Sequence, residues 1–136
     1  MSEPAIYNNR SFQVEAGANV SPTGAFTSNE LSHSGKGISI KLAVTAIASG
    51  QGITLSVTTT DPEGHVFQEL LATEVTSTGM YVYQIYPGAT AGGTAGTTTY
   101  SSLSKSIDAA FQIVLTFADT SGAKAVTYNL SYVVLV

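Results

Sequence analysis

Residues 37–64 read GISIKLAVTAIASGQGITLSVTTTDPEG. Ile38, Ile40, Leu42, Val44 and Ala46 alternate with Ser39, Lys41, Ala43 and Thr45, and after a break Ile53, Leu55 and Val57 alternate with Thr54, Ser56 and Thr58. A period of two places each apolar set on one side of an extended chain, so both halves predict strands with one buried and one wet face. The break, Ala48-Ser49-Gly50-Gln51-Gly52, is short and polar, and an antiparallel hairpin is the natural pairing across it. Asp61-Pro62-Glu63-Gly64 then has Asp first, Pro second and Gly fourth, the preferences of a type I turn, so the chain is expected to reverse there.

The pattern continues beyond that turn. The segment His65-Val66-Phe67-Gln68-Glu69-Leu70-Leu71 is short enough for a strand or a single helical turn, and its place between β signals favours the strand. In GMYVYQIY, residues 79–86, Tyr81, Tyr83 and Ile85 oppose Met80, Val82 and Tyr86. Apolar groups on both sides imply a strand covered twice, by the core and by either the N-terminal segment or another subunit, and tyrosine suits such interfaces. In the last third Ala109, Phe111, Ile113, Leu115 and Phe117 alternate with Gln112, Val114 and Thr116. A turn at Asp119-Thr120-Ser121-Gly122 leads to Val126, Tyr128, Leu130, Tyr132 and Val134, predicting a second hairpin at the centre of the core. No span holds a helical period over three turns. The expected fold is all-β, an antiparallel, jelly-roll-like β-sandwich of roughly seven or eight strands.

Two segments depart from this regularity. In residues 1–36, Asn8, Asn9, Gly17, Asn19, Pro22, Gly24, Asn29 and Gly35 interrupt every apolar pattern, so the segment reads as an N-terminal arm or an irregular first strand, with the sandwich domain at 37–136. Residues 87–104, PGATAGGTAGTTTYSSLS, are low in complexity, with side chains too small to fix a loop by burial, and a flexible Gly/Thr-rich loop is expected. Gly92, Gly93 and Gly96 give the spacing GGxxG, but no Lys follows and no helix start adjoins, which argues against a phosphate cradle.

Composition narrows the function. Of the 136 residues 43% are hydrophobic and only 10% charged, against about a quarter charged in ordinary soluble domains. Five basic residues, Arg10, Lys36, Lys41, Lys105 and Lys124, and a net charge of −4 offer no patch for a phosphate backbone, so nucleic acid is not an expected partner. There is no cysteine, which removes disulfides, thiolate nucleophiles and thiolate zinc sites. The start, MSEPAIYNNR, lacks an apolar signal region, and the longest apolar runs fall far short of a membrane span, so a soluble protein made in a cytoplasm is expected.

No catalytic group assembles from the sequence, and neither a cofactor nor a metal is expected. His33 and His65 stand beside turn residues without further ligands at a fixed spacing. Asp61 and Glu63 supply too few oxygens for calcium. Glu3, Glu15, Glu30, Glu63, Glu69, Glu74 and Asp119 fall mostly in loops, and Asp108 reads as a solvated strand start. No GxSxG elbow presents a serine. What remains is a neutral Ser/Thr surface, suited to burial against protein or to sugar binding, although the absence of Trp weakens the second.

The order KGISIKLAVTAI, ITLSVTTTDPEGHVFQELLAT, TSTGMYVYQIYPG, AAFQIVLTFADTSG, AVTYNLSYVVLV resembles a small β-sandwich recurrent among virion structural proteins of tailed bacteriophages, over residues 37–136. The insertion around residues 88–99 departs from that pattern. The resemblance implies a capsid decoration, or cement, protein that binds the major capsid protein on the outer surface of the head. It also implies a homo-oligomer, with a trimer favoured, located in the virion after synthesis in the host cytoplasm. The alternatives are another minor virion protein of tail or neck, or a carbohydrate-binding or adhesin module. Candidate partner-binding residues are Phe12, Val14, Val20 and Phe26 in the arm, and Tyr81 and Tyr83. If the arm carries the contact, deleting residues 2–30 should leave a folded sandwich that binds weakly.

Overall fold

The computed structural model describes residues 11–20, 24–90, 93–119 and 126–135. Eleven strands run through them: β1 Ser11–Val20, β2 Gly24–Thr27, β3 Leu31–Ser32, β4 Gly37–Ala46, β5 Gln51–Thr60, β6 Val66–Leu71, β7 Gly79–Ile85, β8 Gly93–Ala95, β9 Thr98–Leu103, β10 Ala110–Asp119 and β11 Val126–Leu135. One sheet has the order β1-β11-β4-β7-β9-β8, the other β2-β10-β5-β6, with the short β3 also on β10. Setting aside β3, β8 and β9, the faces are β1-β11-β4-β7 and β2-β10-β5-β6, each strand pairing antiparallel. This is the eight-stranded jelly roll, two Greek keys folded into a sandwich. The expected all-β sandwich is therefore the observed fold, with three accessory strands beyond the expected seven or eight.

The core is the sum of the predicted apolar faces. Ile38, Ile40, Leu42 and Val44 of β4 and Ile53, Leu55 and Val57 of β5 are buried, as are Phe111, Ile113, Leu115 and Phe117 of β10 and Val126, Tyr128, Leu130 and Tyr132 of β11. Phe111 meets Tyr132 edge to face at 5.4 Å between ring centres, and Phe117 lies 5.7 Å from Tyr128, a geometry in which ring edges meet ring faces or offset planes. These contacts join the two sheets.

Neither predicted hairpin forms. β4 pairs with β11 and β7, while β5 pairs with β10 and β6, so the connection at 47–50 crosses from one sheet to the other. β10 and β11 likewise belong to opposite sheets; the predicted turn between them lies largely at 120–125, outside the described residues. The physical reason is that a strand with one apolar face can bury it only against an opposing layer. Facing strands joined by a short loop satisfy that demand as readily as neighbours within a sheet.

The hairpin β5–β6 does form, around the predicted turn. The Gly64 amide donates to the Asp61 carbonyl at 3.0 Å, and Asp61 Oδ1 accepts from the amides of Glu63 at 2.9 Å and His65 at 2.8 Å. Gly64 holds φ at 92°, a left-handed conformation in which a side chain would be strained.

The described part of the N-terminal segment is built into both sheets. β1 pairs with β11 through two register shifts, between Gln13 and Glu15 and between Glu15 and Ala18, which explains why no clean alternation is visible there. β2 pairs with β10 from Gly24 to Thr27. Deleting residues 2–30 would strip one strand from each sheet, so this segment is part of the sandwich rather than an appendage to it. The predicted loop at 87–104 is also partly strand: β8 and β9 pair with each other, and β9 runs parallel to β7 with Met80 beside Thr98 and Leu103 beside Ile85. Its threonines suit an extended edge, and β7 supplies the backbone partners. The GGxxG spacing includes Gly92, which lies outside the described residues.

Candidate interaction surface

Among the described residues the jelly roll presents two apolar features to the outside, both made by side chains that break strict alternation. The first is a groove of about 360 Å³ on the outer face of the six-stranded sheet. Because neighbouring strands align their outward residues, Lys41 and Ala43 of β4, Met80 and Val82 of β7 and Tyr100 of β9 come together there, rimmed by Asn129 and Ser131 of β11. Val82 sits between Lys41 and Tyr100 on the adjacent strands. Met80 and Tyr100 remain 44% and 36% exposed. Methionine and tyrosine adapt to apolar partners and are enriched at protein interfaces.

The second is β6, which ends its sheet. Val66, Phe67 and Leu71 are 65%, 52% and 63% exposed. One residue, Glu69, is extra in this strand, because Val57 pairs with Leu70 and Thr58 with Gln68. Its carboxylate turns to the interior side, where Oε2 accepts from the hydroxyl of Thr59 at 2.6 Å and Oε1 from Nζ of Lys105. The Lys105 ammonium, followed by the Thr59 hydroxyl, holds the Glu69 carboxyl below its usual range despite partial burial.

Tyr81 and Tyr83 lie on the other side of β7 from Met80 and Val82. Tyr83 is 4% exposed within the core, where burial, reinforced by neighbouring Tyr81, pushes its phenol up to about 12. Tyr81 is half-buried and packs against the core, its hydroxyl donating to the Ser77 carbonyl at 2.8 Å. Val14 and Phe26 are also half-buried against the core. Phe12 and Val20 belong to β1, opposite Tyr132 and Val126 of β11, and their side chains lie outside what the structure describes. The six candidates are thus dispersed over β1, β2 and β7, with no common patch among those described. Sequence reasoning missed β6 as a surface, although the doublets Val66-Phe67 and Leu70-Leu71, apolar on both faces, were its signal.

Asp61, His65 and His33 hold local structure. His65 Nδ1 meets Asp61 Oδ2 at 2.9 Å, the orientation that steers a catalytic imidazole. Here, however, the pair caps an exposed hairpin tip. The His65 amide, with the other turn donors, holds the Asp61 carboxyl below its usual range. His33 Nε2 lies 3.2 Å and 3.0 Å from the carbonyl oxygens of Ile107 and Asp108, tying β3 to the approach of β10. Among the described residues no three His, Asp or Glu side chains converge as a metal site would require.

The fold defines a jelly-roll β-sandwich, and the comparisons agree at that level. No protein-family model and no curated protein matches the sequence. Among solved structures, the chain is similar to one in "Structure of infectious bursal disease virus Gx strain", with a TM-score of 0.57 at 7% identity. The match covers 91% of this chain and 31% of that one, so this protein spans about a third of its neighbour's length. At that identity the likeness is one of fold.

Proposed function

We propose that the protein is a virion structural protein, and within that class a decoration, or cement, protein of a tailed-bacteriophage head. The observation that carries this reading is the jelly roll itself, aligned over 91% of its length with a chain from a virus structure. The phage assignment comes from the sequence resemblance over residues 37–136. The reading assigns the protein no catalysis.

In this role a homo-oligomer made in the host cytoplasm binds the major capsid protein on the outside of the assembled head. The groove around Met80, Val82 and Tyr100 supplies an apolar contact within a rim of Ser, Asn and one Lys. A ligand that binds the assembled shell but not its separated subunits stabilises the shell by mass action, and several modest contacts on one oligomer add through effective concentration. Shape and burial, rather than charge, would select the partner.

The test uses heads assembled without the protein. Added protein should co-sediment with the heads and raise the temperature at which they release DNA, and Met80→Asp with Tyr100→Asp, both at exposed positions, should abolish both effects while the variant stays folded. Binding to tails alone would move the protein to the tail or neck, and glycan-array binding without head binding would make it an adhesin module; either result overturns the cement role.

A further inference from the structure

We infer that the free edge of β6 is a homodimer contact, in which two copies pair β6 antiparallel about a two-fold axis and join their four-stranded faces into one continuous sheet. This inference is independent of the virion role.

It follows from the register. In an antiparallel pair, residues directly opposite each other share a face. In a regular six-residue strand the first and last residues point to opposite faces, so pairing the strand with its own copy end to end would set each against the wrong side. The extra residue Glu69 changes that parity. Thr60 pairs with Val66 and Ser56 with Leu71, both on the face away from the core, while Thr59 pairs with Phe67 and Val57 with Leu70 on the core side. When β6 meets a second β6 with Val66 opposite Leu71, every apolar residue therefore finds an apolar residue on its own face: Val66 with Leu71 outside, Phe67 with Leu70 inside. The two most exposed large apolar side chains among the described residues, Val66 and Leu71 at 65% and 63%, are the two brought together.

Charge permits the same arrangement. Natural edge strands avoid pairing by carrying lysine, proline or an inward charge. β6 carries such an inward charge at its one ionisable residue, Glu69, but the carboxylate is already neutralised by Lys105 and bonded by Thr59 of its own chain. The two copies therefore do not set free carboxylates against each other. A head-to-tail ring would need two different patches; a self-complementary edge needs one.

Six residues bury less than the roughly 1,200 Å² of a stable standard interface, so the pair should be weak, with Kd in the range of about 10 µM to 1 mM. Sedimentation velocity of the full chain across that range should show a monomer passing to a dimer. Val66→Lys with Leu71→Lys should weaken association at least about tenfold, since like charges then lie opposite each other. Mixing this double variant with Val66→Glu/Leu71→Glu should restore a dimer in the mixture that neither forms alone. Both positions are largely exposed, so circular dichroism of the variants should match the parent. A chain that stays monomeric throughout, an oligomer indifferent to the lysines, or a mixture that fails to pair would each overturn the inference.

Discussion

Ser28→Ala is the substitution whose cost can be worked most directly from the structure. Ser28 follows β2 and is 4% exposed. Its amide donates to the Ile113 carbonyl at 2.9 Å, continuing the β2–β10 ladder by one more bond. The Ile113 amide, in turn, donates to Ser28 Oγ at 3.0 Å, and Oγ donates to the Asn29 carbonyl at 2.8 Å. Ile113 is fully buried, so its N–H has no water to turn to when the hydroxyl is removed. A buried donor left without a partner costs about 1–3 kcal/mol, and we take about 2 kcal/mol. With a urea m-value of roughly 1.5 kcal/mol/M for a chain of this size, the unfolding midpoint should fall by about 1.3 M. Gln112→Ala provides the contrast. It removes the bond from Nε2 to the Ser28 carbonyl at 2.9 Å but orphans no buried donor, and should cost about 1 kcal/mol. An unchanged Ser28→Ala midpoint, with the slope preserved, would refute the view that this hydroxyl finishes the ladder.

Other outcomes follow from the same geometry. The Glu69 carboxyl is held below its usual 4.5, chiefly by Lys105, so its stabilisation is present above that pH and is lost as pH falls through the lowered folded value; urea midpoints measured from pH 6 down to 3 should flatten in Glu69→Gln. Tyr83, raised to about 12, should ionise well after an ordinary phenol at 10.0. Its contribution is intact below the unfolded value and disappears as pH rises through the folded one, so alkaline unfolding should track a late absorbance step that Tyr83→Phe removes. Gly37→Ala would drive a methyl into the Ile85 carbonyl oxygen, backbone that cannot swing aside; a loss of about 1–3 kcal/mol is expected by thermal melting.

The strands were legible where one face meets the core without interruption. β4, β5, β10 and β11 announce themselves by period, and the DPEG turn by the demands of its dihedrals. What the period cannot encode is the neighbour, because Ile53 or Ile113 is equally content beside an apolar strand or across from one. Hence two predicted hairpins became crossings between sheets. β1 was obscured by its register shifts, and β8–β9 by small residues whose pairing is backbone chemistry, largely independent of side-chain identity. The candidate surface was half legible: Met80 and Val82 were recognised as a second apolar side of β7, but the tyrosines singled out with them turn toward the core. Glu69 was read within a short strand, and its place in a bulge depends on β5, which lies beside it only after folding.

The pairing of β1 with β11 sets Ser11 opposite Val133 and Val20 opposite Val126. Among the described strands, the first in chain order must therefore wait for β11 before its backbone is satisfied, and β2 similarly waits for β10. Folds dominated by such distant partners close slowly, in milliseconds to seconds, and expose unpaired edges meanwhile. Synthesis therefore cannot be accompanied by stepwise folding from the N-terminus. The sandwich should remain unprotected against protease until β11 is free, then become resistant in one event, and the low charge along its strands makes that interval an aggregation-prone one.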